Sequence, residues 1–176
     1  AHRPEILRCI AHALRRCHGH PVETHLGAFS ALAVIRQYHQ LARDRRARLP
    51  AELPECLAIL EGIENELKGG PAPCLCHNDL LAENFIDQGG TLRIIDWEYG
   101  GLGDPFFHLG NFAVNTGLTE DEERLLLTEY FGAARPEDLR RLSLMRLVSD
   151  MREAMWSFLQ DTISTLHKDY FGRGRE

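Results

Sequence analysis

Gly69-Gly-Pro-Ala-Pro73 divides this chain into two kinds of sequence, because two glycines and two prolines in five residues stop a helix and redirect the backbone. Ahead of it, apolar residues recur at helical spacing. Ile6, Leu7, Ile10, Leu14 and Cys17 mark a first helix from Pro4 to about Cys17, with a proline in its first turn and Gly19 and Pro21 at its end. A second helix is expected from about Thr24 to Arg43, with Leu26, Phe29, Leu32, Ala33 and Tyr38 inward. A third follows Pro54, with Leu57, Leu60, Ile63 and Leu67 on one stripe. Behind the break the pattern changes. Cys74 to Cys76 reads as a short strand, and Phe85-Ile86 and Leu92 to Ile95 as two more, joined into a hairpin by Asp87-Gln-Gly-Gly90. Gly100-Gly-Leu-Gly103 reads as a glycine-rich turn. Helices follow over Pro105 to Asn115, over Thr119 to Phe131 and from Pro136 to about Tyr170, and Thr119 and Glu122 have capping-box spacing. The expected fold is mainly α with a small β-hairpin element, in a single domain. It is helical over 1–73, loop and hairpin over 74–104 and helical again over 105–176.

A net charge of -6 gives a nucleic-acid partner no electrostatic support, and the basic stretch Arg43 to Arg48 reads as a solvated helix end. No apolar run is long enough to span a bilayer, so no membrane partner is expected. Five cysteines without the spacing of a secreted scaffold point to a reduced, cytoplasmic setting. Cys74, Cys76 and His77 make a poor zinc site, because on a strand the two thiols face one way and the imidazole the other. Cys9 and Cys17 are expected on the core side of their helix. The histidines other than His77 show no metal-ligand spacing and read as surface or boundary residues.

The chemistry concentrates around the hairpin. His77-Asn-Asp-Leu-Leu-Ala-Glu-Asn84, followed by Ile94-Ile-Asp-Trp97, places Asp79, Asn84 and Asp96 there. Phosphoryl transfer asks a protein for a carboxylate beside the acceptor hydroxyl and for oxygen ligands that hold Mg²⁺ against the phosphates. Asp79 suits the first task, and Asn84 and Asp96 suit the second. Each also has a plain structural role open to it: Asp79 as a cap, Asn84 as a turn residue, Asp96 as an exposed acid. Order and spacing match the kinase catalytic loop H-x-D-x-x-x-x-N followed by a metal-binding Asp. A metal hydrolase built on Asp79, Asp96 and Glu98 would lack the histidine ligands such sites commonly use.

The runs Cys76-His-Asn-Asp-Leu-Leu-Ala-Glu-Asn-Phe-Ile86 and Ile95-Asp-Trp-Glu-Tyr-Gly-Gly-Leu-Gly-Asp-Pro-Phe-Phe107 resemble the choline/ethanolamine kinase group of the aminoglycoside-phosphotransferase-like superfamily. The resemblance implies the C-terminal lobe of a protein-kinase-like (α+β) fold, using ATP and Mg²⁺ to phosphorylate an amino-alcohol hydroxyl. On it, Asp79 is the catalytic base, Asn84 and Asp96 bind the metal and through it the nucleotide, and His77 supports the loop. Glu98, Tyr99 and Trp156 supply the carboxylate and aromatic faces that a quaternary ammonium needs, whereas Trp97 reads as core. An aminoglycoside-type acceptor and a non-catalytic half-kinase binding module are the alternatives.

Residues 1–73 contain no phosphate-covering glycine loop and no strand lysine; Lys68 stands beside Gly69-Gly70. The expectation is therefore a piece of a longer kinase whose N-terminal nucleotide lobe is the missing partner. An exposed lobe interface would favour homo-oligomers. One residue departs from the family: His108 stands where an Asp usually braces the catalytic loop, with Asp104 as the substitute a turn away.

Overall fold

The computed structural model describes residues 3–22, 26–89, 91–166 and 168–175. In chain order they form α1 (Arg3–His18), α2 (Ala31–Asp44), α3 (Leu53–Glu66), β1 (Cys74–Cys76), a 3-10 turn (Ala82–Asn84), β2 (Phe85–Asp87), β3 (Leu92–Ile94), β4 (Gly101–Gly103), α4 (Pro105–Asn115), α5 (Glu120–Phe131), α6 (Pro136–Ile163) and α7 (Tyr170–Arg173). The chain divides into two compact units, Ala1–Phe29 with Gly70–Arg146, and Ser30–Gly69 with Leu147–Glu176. Mainly helical structure with small antiparallel sheets is what the hydrophobic periodicity predicts.

The first unit is organised around α4. Its Phe106, Phe107, Leu109, Phe112 and Ala113 are all buried, as are the polar His108 and Asn111. A helix covered on every side belongs to a core rather than a surface. Gly110 allows α6 to come close: a Cβ there would lie 3.0 Å from the Met145 carbonyl carbon and 3.1 Å from the Arg146 nitrogen. Against α1, whose Leu7, Ile10 and Leu14 point inward, α5 packs with Leu126, Leu127 and Tyr130 buried. Ion pairs Arg3–Glu122 and Arg8–Glu129 fringe that contact, and their exposed arginines keep the energetic contribution small. The capping box at α5 is present: Thr119 accepts from the Glu122 amide, and the Glu122 carboxylate accepts from the Thr119 amide at 2.9 Å.

Strand pairing corrects one expectation. Gly101–Gly103 is not a turn but β4, antiparallel to β1 with Cys74 opposite Gly103 and Cys76 opposite Gly101. Glycine serves close approach here. A Cβ on Gly101 would meet the Gly27 carbonyl oxygen at 2.7 Å, and one on Gly103 would meet Asn78 Oδ1 at 2.9 Å. The same strand delays α2. Gly27 and Phe29 bond to the Leu102 backbone, so the segment is extended, and Ser30 then caps a helix that begins at Ala31. Leu26 and Phe29 precede the helix, Ala33 is exposed, and Ala31, Ile35 and Ala42 are the buried positions. The expected start at Thr24 lies outside the described residues. Cys9 also differs from expectation: it faces out, and Cys17 is half-buried.

Strands β2 and β3 form the expected hairpin, with Phe85 opposite Ile94 and Asp87 opposite Leu92. Gly89 takes a left-handed φ of 65° in its turn, and Gly90 lies outside the described residues.

In the second unit, α2, α3, the later part of α6 and α7 contribute the buried Ile35, Leu60, Ile63, Val148, Met155, Phe158 and Tyr170. Helix α6 stops at Ile163 rather than near Tyr170. The run Thr162-Ile-Ser-Thr165 has weak helix propensity, and the Ser164 hydroxyl accepts the Leu166 amide and turns the chain. Asp169 then caps α7. Among the described residues, no helix is long and apolar enough to cross a membrane.

Candidate active site

Strand β1 delivers the chain to Asn78, which adopts a left-handed φ of 66°, a conformation that Asn tolerates better than most side chains. Its amide nitrogen donates to the Cys76 carbonyl at 3.2 Å and the Tyr99 carbonyl at 3.0 Å, tying the turn to the segment after β3. His77 does the complementary work. Its Nδ1 accepts the Asp79 amide at 3.3 Å, so its Nε2 carries the hydrogen and donates to the Ile95 carbonyl at 2.7 Å. With both ring nitrogens so used, His77 has none to offer a metal alongside Cys74 and Cys76.

The other side of the loop is held the same way. Asn84, buried in the 3-10 turn, donates through its amide nitrogen to the Asp79 carbonyl at 3.0 Å, and its own carbonyl accepts the Ile95 amide at 3.0 Å. Its Oδ1 is then the atom that could bind a cation. Asp96 follows directly, exposed and at a left-handed φ of 64°, a strained conformation of the kind that clusters at functional sites. The hydrogen bonds thus draw together the segments that carry Asp79, Asn84 and Asp96. An amide oxygen and a carboxylate are hard donors of the type Mg²⁺ takes.

Beneath the loop, Asn111 and Asn115 grip Leu80. Asn111 Oδ1 accepts the Leu80 amide at 2.6 Å, and the Asn115 amide nitrogen donates to the Leu80 carbonyl at 3.2 Å. Sequence reasoning passed over both; the signal was a pair of amides one helical turn apart on a helix that is apolar but for them and His108. Trp97 is not core but 39% exposed, its Nε1 donating to the Ile94 carbonyl and its ring meeting His77 edge-on. Glu98 is exposed and Tyr99 half-buried beside it. Trp156 belongs to the second unit, where it meets Tyr170 edge-on and Arg173 lies 5.8 Å from its ring.

His108 overturns its reading as a surface or boundary residue. It is fully buried, and its Nε2 accepts the His77 amide at 3.1 Å, the bracing task expected of an acid there. Asp104 does not substitute for it; it caps α4 and pairs with Arg141 at 2.6 Å. His18, also read as peripheral, sits with its Nε2 2.6 Å from His108 Nδ1 and its Nδ1 2.5 Å from the Tyr130 hydroxyl.

Burial lowers the His18 pKa from 6.5 to about 4, and burial with the neighbouring His18 and His77 holds His108 well below its ordinary value. Both rings are therefore neutral in the folded chain and free to protonate in the unfolded one. Their contribution to stability is complete above pH 6.5 and lost as the pH falls toward 4. For His18 the loss is up to about 3 kcal/mol. Urea unfolding at pH 7.5 and at pH 4.5 checks this, with His18→Leu expected to have the shallower dependence.

Residues 1–145 match the model of the family described as the phosphotransferase enzyme family, APH. Over 107 residues the chain is 34% identical to protein LicA of Haemophilus influenzae, an overlap of 58% of this chain and 39% of that protein. Ethanolamine kinase 2 of Rattus norvegicus is 27% identical over 193 residues, 95% of this chain and 50% of that one. The crystal structure of a choline/ethanolamine kinase family protein from Mesorhizobium loti gives a TM-score of 0.87 at 27% identity, over 98% of this chain and 62% of that chain. This chain therefore spans about half, or less, of the curated relatives it matches. The structural likeness over nearly all of it shows the helix-rich lobe of a protein-kinase-like fold.

Proposed function

Because the chain belongs to the phosphotransferase enzyme family, we propose that it forms the C-terminal lobe of an ATP-dependent kinase that phosphorylates a choline- or ethanolamine-like amino alcohol. The observation that carries this reading is the hydrogen-bond frame around His77, which ties the Asp79 loop to the strand end bearing Asp96. Asp79 orients the acceptor hydroxyl and takes its proton as the phosphoryl group transfers. Asn84 and Asp96 would hold Mg²⁺ by their oxygens, and the ion would supply neutralisation of charge on the phosphates. A nucleotide-covering lobe of the same protein completes the ATP site.

On the acceptor side, Glu98 supplies a carboxylate and Tyr99 an aromatic face for an ammonium head. The resemblance to a choline/ethanolamine kinase family protein and to ethanolamine kinase 2 supports the amino-alcohol class over an aminoglycoside. Choline, ethanolamine and a set of aminoglycosides, offered with Mg·ATP to the native polypeptide that carries these residues, test the reading. Turnover of an amino alcohol is expected, with KM raised by Tyr99→Ala and by Glu98→Gln. Turnover of aminoglycosides alone would reject the acceptor class, and choline kinetics unchanged in both variants would reject the pocket.

A further inference from the structure

We propose that His18 and Tyr130 are positioning residues for the catalytic loop, setting through the tautomer of His108 the hydrogen bond that holds His77. The consequence for catalysis rests on the phosphotransferase reading above; the hydrogen-bond assignment does not. One group in this cluster has no freedom. A backbone N–H can only donate, so the His77 amide, 3.1 Å from His108 Nε2, requires that nitrogen to be bare. His108 is neutral, so its hydrogen is on Nδ1. That hydrogen points at His18 Nε2, 2.6 Å away, which must accept and is bare in turn. The hydrogen of His18 then sits on Nδ1 and donates to the Tyr130 hydroxyl oxygen at 2.5 Å. Each bond dictates the next, and the chain runs one way, from the loop through α4 and the end of α1 to α5.

This explains how a histidine occupies the position of a bracing acid. A carboxylate accepts in any protonation state it adopts near neutrality. An imidazole accepts at Nε2 only as one of its two neutral tautomers, and for isolated imidazole nothing dictates which. The donor-only His77 amide makes the choice, His18 supports it by accepting the Nδ1 hydrogen of His108, and the Tyr130 hydroxyl, which can accept, receives the hydrogen of His18 in turn. Protonating either ring would set N–H against N–H inside the core.

The same polarity decides against a competing use of these groups. His18, His108 and Cys76 bring one ring nitrogen each and a sulfur within 4.8 Å of one another, a spacing open to a metal ion. A metal on His108 Nδ1 would send the ring hydrogen to Nε2, directly against the His77 amide. The thiol of Cys76 is also held protonated, by its hydrogen bond with Cys74 and by burial, whereas a metal needs the thiolate.

Long-range proton–nitrogen correlation spectra of the 176-residue chain at neutral pH test the assignment without any activity. Both His18 and His108 are expected neutral, with hydrogen on Nδ1 and a bare Nε2. An Nε2-protonated His108, a charged ring, or a shift of both rings on adding one equivalent of Zn²⁺ would overturn the proposal. In His18→Leu the His77 amide is expected to exchange faster by roughly two- to tenfold, the worth of one hydrogen bond. His18→Gln, whose amide oxygen can accept from His108, is expected to restore most of the protection, and equal exchange in the two variants would overturn the proposal. In the native kinase, Tyr130→Phe is expected to lower kcat with KM for the acceptor unchanged. A wild type without kinase activity would reject the phosphotransferase reading and leave the tautomer result standing.

Discussion

Replacing Asp79 by Asn is expected to lower kcat by about 10²–10⁴-fold, the range over which a positioned general base contributes. The substitution keeps the shape of the side chain and removes its ability to take a proton. It should leave the loop in place, because two contacts made by the backbone of residue 79 survive the substitution: its amide donates to His77 Nδ1 and its carbonyl accepts from Asn84. KM for the acceptor should therefore change little, and the thermal midpoint should stay within a degree or so of wild type. Steady-state kinetics with the amino alcohol varied at saturating Mg·ATP would check this. A kcat within tenfold of wild type would remove Asp79 from the chemistry.

The second large effect is on stability. Phe112 on α4 is 2% exposed and meets Phe85 edge-on at 5.6 Å, immediately after the metal-candidate Asn84. Phe112→Ala should cost about 3–5 kcal/mol, because α4 is enclosed on all sides and cannot collapse to fill the void. For a chain of this size the thermal midpoint should fall by roughly 10 °C. Asn111 and Asn115 flank this position and hold the Leu80 backbone, so loosening α4 also loosens the loop. A loss below about 1 kcal/mol in thermal or urea unfolding would mean that α4 is not the platform described.

The helices α1, α3, α4 and α5 were legible because each has an apolar stripe with a proline, glycine or capping residue at its ends. The hairpin was legible for a related reason, since Asp87-Gln-Gly-Gly90 separates two short apolar runs. What escaped was long-range. Nothing near Gly101 or Gly103 announces that another backbone lies against them, so a strand read as a turn, and the segment it pairs with read as the start of α2. The site divides along the same line. Asp79, Asn84 and Asp96 could be picked out because their spacing is local. His18 and Tyr130 stand 90 and 22 residues from His108 in sequence, and only tertiary packing makes them its partners. The departure at His108 was visible as an anomaly, but its resolution was not, because a neutral ring reveals what it accepts only once its neighbours are known.

If the frame around His77 positions a phosphoryl-transfer site, the native polypeptide carrying these residues will show it when incubated with Mg·ATP and an amino alcohol and followed by phosphorus NMR. One phosphoester should appear for each ADP, and Asp96→Ala should abolish both. ADP accompanied only by inorganic phosphate, with no phosphoester of any amino alcohol, would contradict it.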